Sequence, residues 1–120
     1  MSKANQFSQP DLPLTPPVFY ILLSLSLKER HGYEILKHVQ TASEGAIHLG
    51  PGTLYATLKR LLQAELVVEA SERPELEHDD ERRRYYRLTE RGRSRLTVEL
   101  ARMQQALALA KGSNLALDSE

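Results

Sequence analysis

Apolar side chains recur at spacings of three and four residues in four separate stretches of the chain, which is the pattern of amphipathic helices. Turn and capping residues mark the ends of these stretches. Thr15 before Pro16 is a typical helix start, because the hydroxyl can accept a backbone N–H and proline loses nothing at the first helical position. Gly45 is placed to end the second helix in a left-handed conformation. The predicted helices span residues 16–27, 32–43, 51–64 and 90–111.

Two shorter segments have the alternation and the β-branched composition of strands. Residues 66–68 and residues 83–88 are expected to pair as a hairpin, with the charged segment 71–80 as its long tip. Residues 46–49 are predicted to form a short edge strand. The order helix, helix, short strand, helix, strand, strand, helix predicts a mainly α fold with a small β-hairpin wing, namely a winged helix-turn-helix followed by a C-terminal helix.

The length and composition suit one compact domain plus one appended helix, since the chain has 120 residues and 41% of them are hydrophobic. The polar start of the chain is expected to be a loose arm, and the end is expected to fray. The predicted regions are a flexible N-terminal arm at 1–13, a winged helix-turn-helix DNA-binding domain at 14–89, a dimerisation helix at 90–111 and a frayed tail at 112–120.

The composition argues against several kinds of site. The chain has no cysteine, so disulfides and thiolate metal sites are excluded and a reducing compartment is favoured. Its histidines, His31, His38, His48 and His78, show no tight ligand spacing, so no metal site is predicted. Neither a phosphate-binding glycine loop nor a nucleophile with a base is visible, so no cofactor and no enzymatic activity are expected. Without a long apolar stretch or a signal peptide, a cytoplasmic location is expected.

Charge is balanced over the whole chain but strongly segregated along it. Residues 65–81 hold eight acids against Arg73 alone, whereas residues 82–95 hold seven arginines against Glu90 alone. A neutral protein can therefore carry a positive stripe, and nucleic-acid phosphates respond to such a stripe.

The third predicted helix has a face without carboxylates. Leu54, Leu58 and Leu61 form its core-facing stripe, and residues 53–63 contain no Asp or Glu. A solvated face of a core helix usually carries both signs of charge, so this face favours contact with DNA. The residues expected to meet base edges are Thr53, Ala56 and Thr57, and those expected to meet phosphates are Lys59 and Arg60.

Further DNA contacts are expected near the start of the second helix. His31 and Tyr33 lie beside backbone N–H groups that could hold a phosphate. The ring of Tyr55 is expected to pack against the first helix, with its hydroxyl on a phosphate.

The predicted wing contributes three consecutive arginines. Alternation sends Arg82 and Arg84 to one face of the returning strand and Arg83 to the other. One set is expected to face the DNA backbone, while the other pairs with acids of the loop. The acidic tip argues against deep insertion of the wing into a groove.

The last predicted helix carries an apolar seam with alternating spacings of four and three residues, which is heptad-like and needs a partner. The seam could fold back onto its own domain, but a helix of about 20 residues extends about 30 Å, longer than a small core needs. A homodimer is therefore favoured, and it would hold two recognition helices about 34 Å apart, as successive major grooves require. The predicted interface consists of Leu96, Leu100, Met103, Leu107 and Ala110.

Three motifs stand at the second helix, the third helix and the wing. They are HGYEI at residues 31–35, GPGTLY at 50–55 followed by LKRL at 58–61, and RRRYYRLT at 82–89 followed by Gly92. In this order they resemble the PadR family of bacterial transcriptional regulators, over residues 14–107. The resemblance implies a dimeric DNA-binding repressor, usually released by a small molecule, in the short form with a single C-terminal helix. Family members usually place glycine where Glu65 stands, so an unusual turn is expected after the third helix.

Two functions remain open from the sequence. The favoured one is a ligand-released repressor acting as a homodimer on an inverted-repeat operator, and the alternative is a winged-helix protein-interaction module without an operator. Replacing Lys59 and Arg60 with Glu should abolish DNA binding in the first case only. A small apolar or aromatic effector is expected where the last helices meet the first helices across the dimer. The expected pocket residues are Phe19, Leu96, Leu100 and Met103.

Overall fold

The computed structural model describes residues 12–70 and 84–117. Within this part the chain folds into a mainly helical domain with a small three-stranded antiparallel sheet, which confirms the predicted fold class. None of the helices described there is long and apolar enough to cross a membrane. The helices are α1 (Pro16–Leu27), α2 (Gly32–Ala42), α3 (Pro51–Gln63) and α4 (Glu90–Ala110), and the strands are β1 (Arg30–His31), β2 (Val67–Glu69) and β3 (Tyr85–Leu88).

The edge strand of the sheet is not where the sequence pattern placed it. Residues 46–49 form no strand, because the backbone N–H of Ile47 bonds the Ser43 hydroxyl at 2.9 Å and not a neighbouring strand. Instead β1, in the polar break after α1, pairs antiparallel with β3, so that Arg30 lies opposite Tyr86. The strand order is β1-β3-β2, and the break between the first two helices therefore becomes part of the wing sheet.

The core is centred on α1, which packs against α2, α4 and β3. Ile21 and Leu22 on this helix are fully buried. Burial is expected because nearly all residues of the helix are apolar. The predicted core stripe of α3 is also buried, and β3 sends Tyr86 and Leu88 into the same cluster. The alternation predicted for this strand is confirmed, since the ring of Tyr85 is only half-buried beside the buried Tyr86.

The helix ends follow most of the predicted signals. The hydroxyl of Thr15 makes no capping hydrogen bond, contrary to expectation; Pro17 has no N–H at the second helical position, and the hydroxyl does not bond the remaining N–H at the third. Thr15 contributes its backbone carbonyl instead, which accepts the first hydrogen bond of the helix from the Phe19 N–H at 2.8 Å. Gly45 does adopt the left-handed conformation, with φ of 83°, and its N–H bonds the Gln40 carbonyl at 2.8 Å.

The turn after α3 holds Glu65 at φ of 65°, a left-handed conformation that costs a non-glycine residue about 1–2 kcal/mol. The expectation of an unusual turn at this position is confirmed. Three bonds hold it: the Thr89 hydroxyl donates to the Glu65 carbonyl at 2.7 Å, the Glu65 N–H donates to the Leu62 carbonyl at 3.0 Å, and the Leu66 N–H donates to the Leu61 carbonyl at 3.0 Å. The turn therefore ties the end of α3 to the start of α4.

The first half of α4 belongs to the core. Thr89 caps the helix as predicted, accepting from the Gly92 N–H at 2.9 Å. The chain before α1 is also bound here, since the Leu14 N–H donates to Glu99 Oε1 at 3.1 Å and Arg95 donates to the Leu12 carbonyl at 2.9 Å. Residues 12 and 13, assigned from the sequence to a loose arm, thus lie against α4, and the rest of the predicted arm is outside the described residues.

Candidate nucleic-acid interface

The exposed face of α3 combines small, polar and cationic side chains. Leu54, Leu58 and Leu61 turn inward, and no carboxylate stands anywhere on the helix. The first turn, opened by Gly50 and Pro51, is acid-free as well, so the positive end of the helix dipole faces outward uncompensated. The exposed side chains are Thr53, Ala56, Lys59, Arg60 and Gln63. We call this set the α3 face.

Thr57 does not belong to the α3 face, contrary to the sequence-based expectation. Its side chain is only 5% exposed. At about 100° per residue, Thr57 lies about 40° from Leu61 and about 60° from Leu54 around the helix axis. This places it at the edge of the buried stripe, so a base contact by Thr57 is excluded unless the helix unpacks.

The start of α2 is a closed cap and not an open phosphate site. His31 Nδ1 accepts from the Glu34 N–H at 3.2 Å, and Glu34 Oε1 accepts from the His31 N–H at 3.0 Å, which together form a capping box. The imidazole also packs edge-on against Tyr85, with 5.3 Å between ring centroids. The capping side chains occupy backbone N–H groups at the start of α2 that were predicted to bind a phosphate. The Glu34 carboxylate would also repel a phosphate at this position.

Tyr33 is the exposed group at this end of α2. Its ring is 59% exposed, and the Lys37 ammonium lies 5.3 Å from the ring centroid. Sequence reasoning missed Lys37, although its position four residues after Tyr33 on one helix would have indicated it. The pair adds a cation to the side of the domain on which α2 begins.

Tyr55 fixes α3 against α2. Its hydroxyl lies directly over Gly32, and a Cβ built at Gly32 would be 2.6 Å from the ring carbon that carries the hydroxyl. Only glycine allows this approach, which explains the glycine in the HGYEI motif. The ring is half-buried and packs against the core cluster. A phosphate contact by the hydroxyl stays a prediction.

Of the three wing arginines, Arg84 is described, whereas Arg82 and Arg83 lie outside the described residues. Arg84 forms an exposed ion pair with Glu69, at 3.1 Å between guanidinium and carboxylate. The partner stands at the end of β2 and not in the charged loop, so the predicted pairing of one set of arginines with acids of that loop stays a prediction. Arg84 is therefore already engaged at the base of the wing.

The exposed apolar seam of α4 begins later than predicted. Leu96 is only 3% exposed and Phe19 is buried, because both belong to the core cluster of their own chain. They are therefore unavailable as an exposed seam or as the walls of an effector pocket. Beyond them the helix leaves the core, and Leu100, Met103 and Leu107 are exposed beside a half-buried Ala110. We call the three exposed residues the α4 face.

Two of the described histidines, His31 and His38, have structural roles. Within residues 12–70 and 84–117 no group of three or more potential metal ligands comes together, and His78 lies outside these ranges. His38 Nδ1 lies 2.9 Å from the buried Ser24 hydroxyl and joins α2 to α1. Burial and the nearby Arg30 charge lower the pKa of His38.

Comparison with known proteins places this geometry in a family. A family model described as the transcriptional regulator PadR-like family matches residues 21–98. An uncharacterized protein of Lysinibacillus sphaericus is 34% identical over 93 residues, which cover 74% of this chain and 83% of that protein.

Solved structures share the fold. The crystal structure of a PadR family transcription regulator from hypervirulent Clostridium difficile aligns with a TM-score of 0.65 at 26% identity, covering 81% of this chain and 96% of that one. A transcriptional regulator from Clostridium thermocellum aligns with a TM-score of 0.63 at 20% identity, covering 82% of this chain and 90% of that one. The second likeness concerns the fold alone.

Proposed function

This chain belongs to the PadR-like family of transcriptional regulators, which bind DNA, and from that premise we propose that it is a homodimeric repressor that binds an inverted-repeat operator through its α3 face. The observation that carries the proposal is the absence of any carboxylate from the exposed side of α3, together with two adjacent cations. Phosphates are attracted to such a surface, whereas the mixed charges of an ordinary solvated helix largely cancel and attract them less.

In the proposed complex α3 enters the major groove with its first turns toward the bases. Thr53 and Ala56 are short enough to let the helix approach base edges, and a methyl group such as that of Ala56 fits against a thymine methyl. Lys59 and Arg60, one turn further, bind phosphates and fix the register. Tyr33 and Lys37 extend the same contact to the neighbouring phosphates.

The wing arginines add to the contact with the DNA backbone. By the predicted alternation Arg83 lies on the opposite face from Arg82 and Arg84, and it is proposed to reach phosphates beside the site that α3 occupies. Arg84 has a smaller role in the proposal than the sequence suggested, because its charge is opposed by Glu69 at 3.1 Å.

The α4 face supports the second half of the proposal, the homodimer. Leu100, Met103 and Leu107 repeat at spacings of three and four on a helix that has left its own core. Exposed apolar side chains in such a row gain about 25 cal/mol for each Å² removed from water, and a second α4 offers a matching surface. Two copies joined in this way would present two α3 faces to one side of a duplex.

Repression follows if the operator overlaps a promoter, since a bound dimer then blocks the polymerase. Release by a small molecule requires a site whose occupancy changes the affinity for DNA. The site expected around Phe19 and Leu96 does not serve, because both side chains are buried in the core.

The experiment is a fluorescence-anisotropy titration of the chain's own upstream DNA at about 50 and about 200 mM salt. Lys59 and Arg60 in two subunits alone give about four phosphate contacts, and the other proposed contacts add to them, so the affinity should fall at least about a hundredfold between these conditions. A scrambled duplex of equal length is the control for sequence specificity. Binding that does not weaken as salt rises would contradict the proposal, and no binding at low salt would favour the protein-interaction module.

A further inference from the structure

One carboxylate is buried in the half of α4 that packs against the core, and neither the α3 face nor the α4 face includes it. Glu99 is 5% exposed and is the only buried Asp or Glu among residues 12–70 and 84–117. A buried carboxylate loses its hydration, so cations and hydrogen-bond donors must replace the water. Arg102 supplies a cation, since its Nε lies 3.6 Å from Glu99 Oε1. An apolar residue would fill the same space without this cost, so packing alone does not account for the carboxylate.

The hydrogen bond that Glu99 accepts comes from the segment leading into α1. The backbone N–H of Leu14 donates to Glu99 Oε1 at 3.1 Å. One helical turn earlier on α4, Arg95 donates to the Leu12 carbonyl at 2.9 Å. Two side chains of α4 therefore hold two backbone groups of residues 12–14, as a neighbouring strand would hold them. We call these two hydrogen bonds the clamp.

The segment that the clamp holds is stiff. Pro13 lies between the two bonds, and Pro16 and Pro17 open α1 directly after the segment. Proline fixes its own φ and restricts the residue before it to extended conformations, as seen at Thr15 with ψ of 156°. Because α1 in turn packs against α2 and β3, the clamp ties α4 to the body of the domain through a segment with little freedom.

The clamp lies where α4 leaves the core. The buried residues of this helix are Gly92, Arg95, Leu96 and Glu99. No residue of α4 after Glu99 is buried. From Glu99 to Ala110 the helix runs about 16 Å, so a change of about 10° in its direction at Glu99 moves its end by about 3 Å. This displacement is close to the rise of one base pair, about 3.4 Å.

We propose that Glu99 is a positioning residue, which through the clamp fixes the direction of α4 relative to α1 and α3. This direction is a property of a single chain. Its consequence rests on the proposed function: in a dimer joined through the α4 face, the direction of α4 sets the distance between the two α3 faces. Glu99 thereby determines which spacing of two half-sites the dimer accepts.

The first experiment measures the direction of α4 within one chain by electron paramagnetic resonance. The chain has no cysteine, so Gln63→Cys and Leu109→Cys together place one spin label at the end of α3 and one on α4. Both side chains are exposed, and Leu109 lies about 160° from Leu107 around the helix axis, away from the α4 face. An excess of unlabelled chain ensures that only distances within one chain are measured. One narrow distance distribution is expected when the clamp is intact.

The variants of the first experiment open the clamp from either bond. Glu99→Ala should broaden the distance distribution at least about twofold and speed hydrogen exchange of the Leu14 amide at least about tenfold, because this N–H loses its acceptor. Arg95→Met removes the other bond, should broaden the distribution as well, and decides the matter if circular dichroism shows Glu99→Ala to be unfolded.

Val39→Ala is the matched control for both clamp variants. It removes buried volume from α2 and lowers the stability of the domain, but Val39 takes no part in the clamp, so the distribution should stay narrow. A broad distribution with the clamp intact would overturn the proposal. A distribution that stays narrow in the folded clamp variants, or that broadens equally in Val39→Ala, would overturn it too.

The second experiment measures the spacing that the dimer accepts. One or two base pairs are inserted between the half-sites of the upstream duplex, and each adds about 3.4 Å and about 35° of rotation. The insertions should weaken binding of the unchanged chain and of Val39→Ala at least about tenfold, but binding of Glu99→Ala by about threefold or less. If the unchanged chain binds no duplex, the repressor is refuted, and the spin-label distances still decide the role of the clamp. If the duplex is bound and the insertions weaken all three proteins equally, the spacing role of Glu99 is refuted and the repressor stands.

Discussion

α3 and α4 each bury one side in the same core and leave another side open, yet the open sides differ completely in chemistry. The α3 face carries two cations, small polar groups and no carboxylate. The α4 face carries Leu100, Met103 and Leu107 in one row. Exposed cations cost a folded domain little because water solvates them, whereas an exposed apolar row is unfavourable until something covers it.

The difference assigns the two faces to different partners. A cationic face gains by exchanging its counter-ions for a polyanion, so nucleic acid is the partner proposed for the α3 face. An apolar row gains by excluding water, so another apolar surface is the partner proposed for the α4 face. If this division of roles is correct, a charge placed on the α4 face should abolish assembly, and a charge reversal on the α3 face should abolish DNA binding without affecting assembly.

The largest expected effect is that of Leu107→Glu. The side chain is 48% exposed in one chain, and a carboxylate there would be buried without a partner in a dimer joined through α4. We expect self-association to weaken at least about a hundredfold, seen by light scattering during gel filtration as a monomer mass at micromolar concentration.

Gln105→Glu is the control for Leu107→Glu. At about 100° per residue, Gln105 lies on the opposite side of α4, about 160° from Leu107 around the helix axis. It should leave the dimer intact. If both substitutions produce a monomer equally, or if the dimer survives Leu107→Glu, the α4 face does not mediate self-association.

The next largest effect is expected for Gly92→Ala. This substitution tests whether the first half of α4 is docked in the core. A Cβ at Gly92 would overlap the Leu66 carbonyl oxygen and lie 2.9 Å from Leu88 Cδ1. We expect the free energy of unfolding to fall by about 1–3 kcal/mol in urea denaturation. Gly52→Ala, in the first turn of α3, meets nothing within 4 Å and should be neutral or stabilising by up to about 1 kcal/mol. Equal stability of the two variants would show that α4 is not docked as described.

The smallest effect concerns His38, which lies on neither face. Burial and the Arg30 charge hold the pKa of this imidazole below its ordinary value of 6.5, so the unfolded chain takes up a proton more readily than the folded one. The stabilisation from the neutral ring is complete above pH 6.5 and is lost as the pH falls below it toward the folded-state pKa. Urea denaturation at about pH 7.5 and about pH 5.5 should show a smaller loss of stability in His38→Gln than in the unchanged chain. Parallel losses in the two proteins would refute the role of His38.

Features set by neighbouring residues were predictable from the sequence. Helix bounds followed from apolar spacing, prolines and glycines, and none of the four differs from the structure by more than one residue. The left-handed Gly45 was accessible for the same reason, since a turn after a helix is decided within a few residues, whereas the unusual turn at Glu65 was expected from the family resemblance. The acid-free side of α3 is also visible in the sequence, because it depends on composition within one helix.

Features set by distant residues were not predictable. β1 has two residues, and only pairing with Tyr85 and Tyr86, far along the chain, makes it a strand. Thr57 sits at the border between two sides of α3, where the neighbouring elements decide its burial. Leu96 continues the periodicity of the α4 row, but periodicity does not indicate where the helix leaves the core.

The most direct test is the affinity of the Lys59→Glu/Arg60→Glu variant for the upstream duplex, measured beside the unchanged chain and a Lys111→Glu control at the exposed end of α4. The division of roles predicts that the double variant keeps its fold and its dimer mass while its affinity falls at least about a hundredfold, whereas the control stays within about threefold. A folded double variant that binds the duplex as tightly as the unchanged chain would contradict the assignment of the α3 face to DNA.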